Sequence, residues 1–190
     1  MSIASDTWPR RHLINVEEYY RMAEAGVLAP DARVELIEGE IIDMAPLGSN
    51  HAGVVNFLMR RFDRNIGELG VVTVQQPLRL GDRSEPQPDL MLLKPRADLY
   101  RNSHPKADDV LLLVEVSDTT LRFDRGEKAS LYAWHGIREY WVVDLPNRQI
   151  HRMQEPASGT YHSITSLSAP ATVAAGAFPE IHIELAALFQ

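Results

Sequence analysis

Cysteine is absent from the 190-residue sequence, which excludes disulfides, thiolate catalysis and Cys-based zinc sites and leaves carboxylate and His chemistry. No stretch approaches the roughly 18 consecutive apolar residues of a membrane span. No charged-then-apolar leader opens the chain, so a cytoplasmic address and no membrane partner are the expectation. Neither G-x-G-x-x-G after a strand nor G-x-x-x-x-G-K-[ST] occurs, and phosphate cradling by a glycine loop has no support. Positive charge is in the minority, with 19 Lys and Arg against 26 Asp and Glu for a formal charge of -7. That balance runs against a protein that coats nucleic acid. Arg60, Arg61 and Arg64 nevertheless bunch, as do Arg122, Arg125 and Lys128, which keeps a local phosphate track open.

What is present is enough apolar material, 45% of residues, to fill one sizeable core. The expected organisation is a tail over residues 1–15 and a single domain over 16–190. Asn15 with Glu18 three residues on is a helix-cap pattern and Gly26 a stop signal, predicting a helix over 16–25. Arg33 to Met44 carries two β-prone runs about Glu38-Gly39 and predicts a hairpin. Val55, Leu58, Phe62 and Ile66 recur at helical spacing over about residues 51–66, with His51 on the same face. Strands are predicted at Val71 to Gln75, Pro77 to Leu80, Asp89 to Leu93 and the nearly all-aliphatic Val110 to Val116.

Further on, Asp124 and Glu127 form an Asp-x-x-Glu variant of the capping box, predicting a helix from Asp124 to about His135, stopped by Gly136. Glu139 to Asp144, Gln149 to Met153 and a run near Tyr161 to Thr165 are predicted strands. Ser168 to Gly176 reads as an Ala- and Pro-rich loop, with Phe178 to Phe189 packing the C-terminus. From His51 onward the order helix, three strands, helix, strand specifies an α/β (α+β) sandwich with a mixed central sheet.

Glu115 is the most informative residue, because it sits inside Leu111-Leu112-Leu113-Val114-Glu115-Val116, where an unpaired carboxylate is costly to bury. It is paired, protonated or metal-bound there, unless the strand end already reaches solvent. Asp89, entered from Pro88, stands at the head of an apolar strand. Carboxylates at the ends of neighbouring strands can share one hard cation such as Mg²⁺, although an Asp after Pro is also a common turn residue. Lys128 falls on the apolar stripe of Leu131, Tyr132 and His135 near the start of its predicted helix, where the helix dipole disfavours a cation. The plainer alternative is an i, i+4 pair with Asp124, worth about 0.2 to 0.5 kcal/mol. His51 could touch substrate phosphate or hold a carboxylate, or be a satisfied core residue. Ser117, two residues after Glu115, projects from the same strand face.

Pro88-Asp89, Glu115-Val116-Ser117 and Lys128 on the next helix resemble the PD-(D/E)XK nucleases. More closely, the chain resembles the Uma-type family of restriction-endonuclease-like proteins, long filed as a domain of unknown function. The likeness runs from about Val16 to Phe189. Its motifs are Arg33-Val34-Glu35-Leu36-Ile37-Glu38-Gly39-Glu40, Pro46 with His51, Gln87-Pro88-Asp89-Leu90, Glu115-Val116-Ser117, Asp124 with Lys128 and Tyr132, and Glu139-Tyr140-Trp141-Val142-Val143-Asp144.

The resemblance implies a restriction-endonuclease-like core and a metal-dependent endonuclease. Asp89 and Glu115 would be metal ligands for Mg²⁺, with Mn²⁺ as substitute. Lys128 would be the catalytic lysine, migrated to a helix because Ser117 stands where the standard motif has Lys. His51 and Glu35 would stand in the outer shell of the site. Nucleic acid, in the first place DNA, is the implied partner, and a homodimer the implied assembly. Two rivals stay open: a nuclease-fold binding module with a degenerate site, which Ser117 and the acidic surface suggest, and an oligomeric scaffold built on the hairpin and Tyr140-Trp141.

Overall fold

The described chain enters its fold through a helix cap. In the computed structural model, which describes residues 11–190, Asn15 Oδ1 accepts from the Glu18 N–H and Glu18 Oε2 accepts from the Asn15 N–H, at 2.9 and 2.8 Å. This reciprocal box starts α1 (Val16–Glu24), and Gly26 ends it with φ 71°. Of the tail expected over 1–15, residues 1–10 lie outside the described residues. The predicted hairpin is β1 (Val34–Ile37) and β2 (Glu40–Asp43). Its turn needs left-handed backbone at both Glu38 (φ 48°) and Gly39 (φ 86°), and a Cβ on Gly39 would come within 2.7 Å of Leu13. Glycine is therefore required there on both counts.

The remaining apolar runs build one six-stranded sheet. After α2 (Ser49–Ile66), the strands β3 (Val71–Thr73), β4 (Leu90–Leu93), β5 (Val110–Ser117), β6 (Glu139–Asp144), β7 (Gln149–Ala157) and β8 (Thr160–Ser168) lie side by side in that order. Only β5 and β6 pair in parallel, and the other neighbours are antiparallel. The crossover between β5 and β6 consists of α3 (Leu121–Phe123), a π-helical turn (Asp124–Lys128) and α4 (Ala129–Trp134), running on from one another.

Strand alternation assigns the two faces. Leu90, Leu92, Leu112, Val114, Val116, Trp141 and Val143 pack under Val54, Val55, Leu58, Phe62 and Ile66 of α2. Met91, Leu93, Leu113, Tyr140 and Val142 pack under Ala129, Leu131, Tyr132 and Ala133 of α4. The result is the expected α/β sandwich, with the order α2, β3 to β5, α3 to α4, β6. Among the described residues no helix is long and apolar enough to cross a membrane.

Four predicted elements need correction. Pro77 to Leu80 is not a strand: the Leu78 and Leu80 N–H groups bond the Pro86 and Ser84 carbonyls, closing a local loop, and Arg79 makes only an isolated bridge to Lys106. Asp89 precedes β4 rather than opening it. Ser168 to Gly176, expected as loop, contains β9 (Thr172–Ala175), which pairs antiparallel with β10 (Phe178–Glu184) before the short α5 (Leu185–Leu188). Tertiary pairing overrides the weak β preference of an Ala-rich segment there. The helix expected to start at Asp124 begins at Leu121, so Asp124 is not its N-cap.

Candidate active site

Register brings the two predicted carboxylates together. Leu90 pairs with Val114, and extending that antiparallel ladder by one residue sets Asp89 opposite Glu115. Glu115 shares its strand face with Leu113, so it points toward α4 rather than α2. Asp89 turns its Oδ2 onto the Val116 N–H at 2.8 Å, fixing the carboxylate at the end of β5. The first turn of α2 contributes His51, whose Nε2 lies 3.0 Å from the same oxygen. Since an ionised carboxylate can only accept, that nitrogen carries the proton, and the buried Nδ1 has no protein partner.

Lys128 comes from the opposite side. It is 5% exposed, and its Nζ lies 2.9 Å from Glu115 Oε1 and 3.0 Å from Glu35 Oε1. Tyr132, one turn further along the helix, donates its hydroxyl to the same Glu115 oxygen at 2.8 Å. The outward i, i+4 pair with Asp124 is not made. Asp124 instead buries its carboxylate, with Oδ2 accepting from Ser117 Oγ and Thr120 Oγ1, each at 2.6 Å.

These groups wall a cleft of about 240 Å³, closed on its other sides by the hairpin, Gln87 and the Asp118 to Thr120 loop. Four buried carboxylates, Glu35, Asp89, Glu115 and Asp124, thus line the cleft, and its one ammonium contacts two of them, Glu115 and Glu35. Burial first, then the charges of Asp89, Asp124 and Glu35, push the Glu115 carboxyl well above its ordinary range, against the pull of Lys128. Burial would lower the Lys128 pKa, but Glu115, Glu35 and Asp124 together outweigh it and the net shift is upward. Lys128 therefore stays a cation across the physiological range.

Asp89 and Glu115 leave oxygens of the kind a hard divalent cation takes. Each of the two has one oxygen held by two protein donors and one left over: Asp89 Oδ1 has only Gln75 Nε2, and Glu115 Oε2 only the Asp89 N–H, both at 3.4 Å, the weak limit of a hydrogen bond. The surplus negative charge is what a hard cation neutralises. Among the described residues no three His, Asp and Glu side chains form a complete metal cluster by themselves. Water would fill the rest of the shell, as is usual for Mg²⁺.

A pH dependence follows. A carboxyl whose pKa is raised on folding stabilises the fold in acid and loses that contribution as pH rises through the folded value. Glu115, and Asp124 with its smaller burial-driven rise, both act in this sense. The metal-free protein is expected to lose melting temperature from mildly acidic to neutral and alkaline pH, and Glu115→Gln to reduce that slope. A slope unchanged by Glu115→Gln would mean that Glu115 ionises normally in the fold.

A family model described as "Putative restriction endonuclease", Uma2, matches residues 16–186. The chain belongs to the Uma2 family. A crystal structure described as "a putative nuclease belonging to DUF820", from Anabaena variabilis ATCC 29413, superposes with TM-score 0.71 at 16% identity, over 93% of this chain and 97% of that one. At that identity the likeness shows a shared fold. The type IIG restriction endonuclease BpuSI overlaps at TM-score 0.39 and 14% identity, over 62% of this chain and 14% of its own, too little to argue from. No curated protein sequence matches significantly.

In this Uma2 protein all four predicted site residues, Asp89, Glu115, Lys128 and His51, meet at one cleft. Glu35, expected only in the outer shell, touches Lys128 directly. Tyr132 and Gln75 were not singled out as site groups. The apolar stripe it shares with Lys128 was the available signal for Tyr132. Nothing in the sequence distinguishes Gln75, which the chain turns in from beyond β3.

Proposed function

We propose that the protein is a metal-dependent endonuclease that hydrolyses phosphodiester bonds in nucleic acid, with DNA the expected substrate. The observation that carries this reading is the position of Lys128. Its ammonium reaches Glu115 from the helix at 2.9 Å, on the strand face that Ser117 shares with Glu115. In this reading Asp89, Glu115 and Lys128 serve as the Asp, Glu and Lys of a PD-(D/E)XK site, with Ser117 standing at the usual lysine position.

In this reading Asp89 and Glu115 hold Mg²⁺, or Mn²⁺ in its place, through the oxygens that protein donors leave free. Bound there, the ion would supply Lewis-acid polarisation of the phosphate and a water activated at neutral pH. His51 and the Val116 N–H pin Asp89 Oδ2, so that Oδ1 faces the cleft. Lys128 and Tyr132 hold Glu115 Oε1 in the same way and leave Oε2. With its raised pKa, Lys128 is a poor proton acceptor. It acts as a fixed positive charge beside the phosphoryl oxygens, where charge grows in the transition state. A homodimer would let two strands be cut in one encounter.

The test is cleavage of supercoiled plasmid, single-stranded DNA and RNA with Mg²⁺, Mn²⁺ or chelator. Nicking that requires the metal and disappears in Asp89→Asn is the expected result. A wild type inert toward all three under every metal would overturn the reading.

A further inference from the structure

We infer that Ser117, Thr120 and Asp124 form a positioning device that aims Lys128 at Glu115, and that it works through the π-helical turn between them. The inference rests on the reading of Lys128 as the catalytic ammonium. A buried aspartate held by two hydroxyls and carrying no salt bridge needs an explanation, because an unpaired buried carboxylate is costly. The cleft mechanism does not use it. Its contacts, however, all lie at the root of the segment that delivers Lys128.

Ser117 ends β5 and Thr120 ends the loop that follows, and both hydroxyls close on Asp124 Oδ2 at 2.6 Å. From the sheet below, Tyr140 donates its hydroxyl to the Asp124 main-chain oxygen at 2.9 Å. The first residue of the π-turn is thus bolted to β5, to the loop and to β6 at once. Lys128 is the last residue of the same turn. A π-turn holds one residue more than an α-helical turn, and π-turns within helices are frequent at functional sites. Each helical residue is about 100° of rotation, so the extra residue decides whether position 128 faces the cleft or the solvent. Gly126, with nothing within 4 Å of where a Cβ would stand, is not there for lack of space. The bonds to Asp124 hold the start of the turn and with it the turn's rotation.

Ser117 thereby acquires a role that fits its position. It occupies the strand site two residues from Glu115, and in place of an ammonium it supplies the bond that holds the ammonium's new carrier. Ser117, Thr120 and Asp124 act as positioning residues, since none of them donates to Asp89 or Glu115.

The test compares Ser117→Ala, Asp124→Ala and the conservative Ser117→Thr, which keeps the hydroxyl. Crystal structures of the variants read the separation of Lys128 Nζ from Glu115 Oε1, and Mn²⁺ titration reads the metal site. Steady-state cleavage below the melting temperature of each variant separates kcat from KM. In Ser117→Ala and Asp124→Ala the Lys128 amine is expected to leave hydrogen-bond range of Glu115. kcat is expected to fall by about 100-fold, the usual effect of an ångström-scale misplacement, with KM and Mn²⁺ affinity nearly unchanged. Ser117→Thr restores both contact and kcat. Should Asp124→Ala fail to fold, Ser117→Ala carries the test. Variants that lose melting temperature but keep Lys128 on Glu115 and keep kcat would overturn the device, leaving Asp124 a structural lock. A wild type that does not cut, with Lys128 displaced in the variants, would instead sink the nuclease reading and leave the device standing.

Discussion

Lys128→Met is expected to reduce metal-dependent cleavage by about 100- to 1,000-fold, the effect of losing one preorganised charge at a phosphoryl transition state, about 3 to 4 kcal/mol. Methionine keeps the length of the stem and its packing while removing the charge. The substitution also leaves Glu115 and Glu35 without their shared partner, and breaking a buried pair typically costs about 3 to 5 kcal/mol. Part of that is recovered where the two carboxyls take up protons, so rates are compared well below the melting temperature and at matched pH. A second substitution separates charge from stability. Ser117→Lys, placed in the Lys128→Met background, returns an ammonium to the strand face that carries Glu115, and partial recovery of cleavage is expected. Undiminished cleavage by Lys128→Met alone would sink the assignment of this residue.

Glu115→Gln is expected to abolish Mn²⁺ binding while the fold survives. The amide oxygen can still accept from Lys128 and Tyr132, where Glu115 Oε1 accepts now. The amide nitrogen then takes the place of Oε2 and presents donors where a cation needs lone pairs. Glu35 remains to balance Lys128 at 3.0 Å. Removing one of four crowded carboxylates relieves repulsion, so the metal-free melting temperature is expected to hold or rise. Calorimetric titration with Mn²⁺ and thermal melts with and without metal check both halves. Retained Mn²⁺ affinity, or a melting temperature clearly below that of the wild type, would mark Glu115 as one half of a structural ion pair.

The three residues proposed as the catalytic core were legible because each breaks a local rule. Glu115 is a charge inside an aliphatic strand, Lys128 a cation on an apolar stripe, and Asp89 a carboxylate at the mouth of a strand whose pairing follows from alternation. The contacts between distant segments were not legible. Glu35 reaches Lys128 only because the hairpin folds across the cleft, and neither residue's surroundings encode that. Asp124 misled for a definite reason: Asp-x-x-Glu at a helix start is a capping pattern, whereas here three preceding residues are already helical and the side chain turns inward to Ser117 and Thr120. Pro77 to Leu80 was expected as a strand, and Leu78 and Leu80 are buried as strand residues would be, yet its N–H groups find carbonyls in a loop rather than a ladder.

The most direct test of the account is a crystal of the wild type soaked in Mn²⁺ and measured for anomalous scattering. One peak, or two adjacent ones, is predicted between Asp89 and Glu115, with Asp89 Oδ1 and Glu115 Oε2 as its nearest protein atoms at about 2.0 to 2.2 Å, the range for small hard divalent ions, and with Lys128 still beside the Glu115 carboxylate. A saturating soak with no peak in the cleft, or with peaks only at surface carboxylates, would contradict the central claim that these two residues form a metal site.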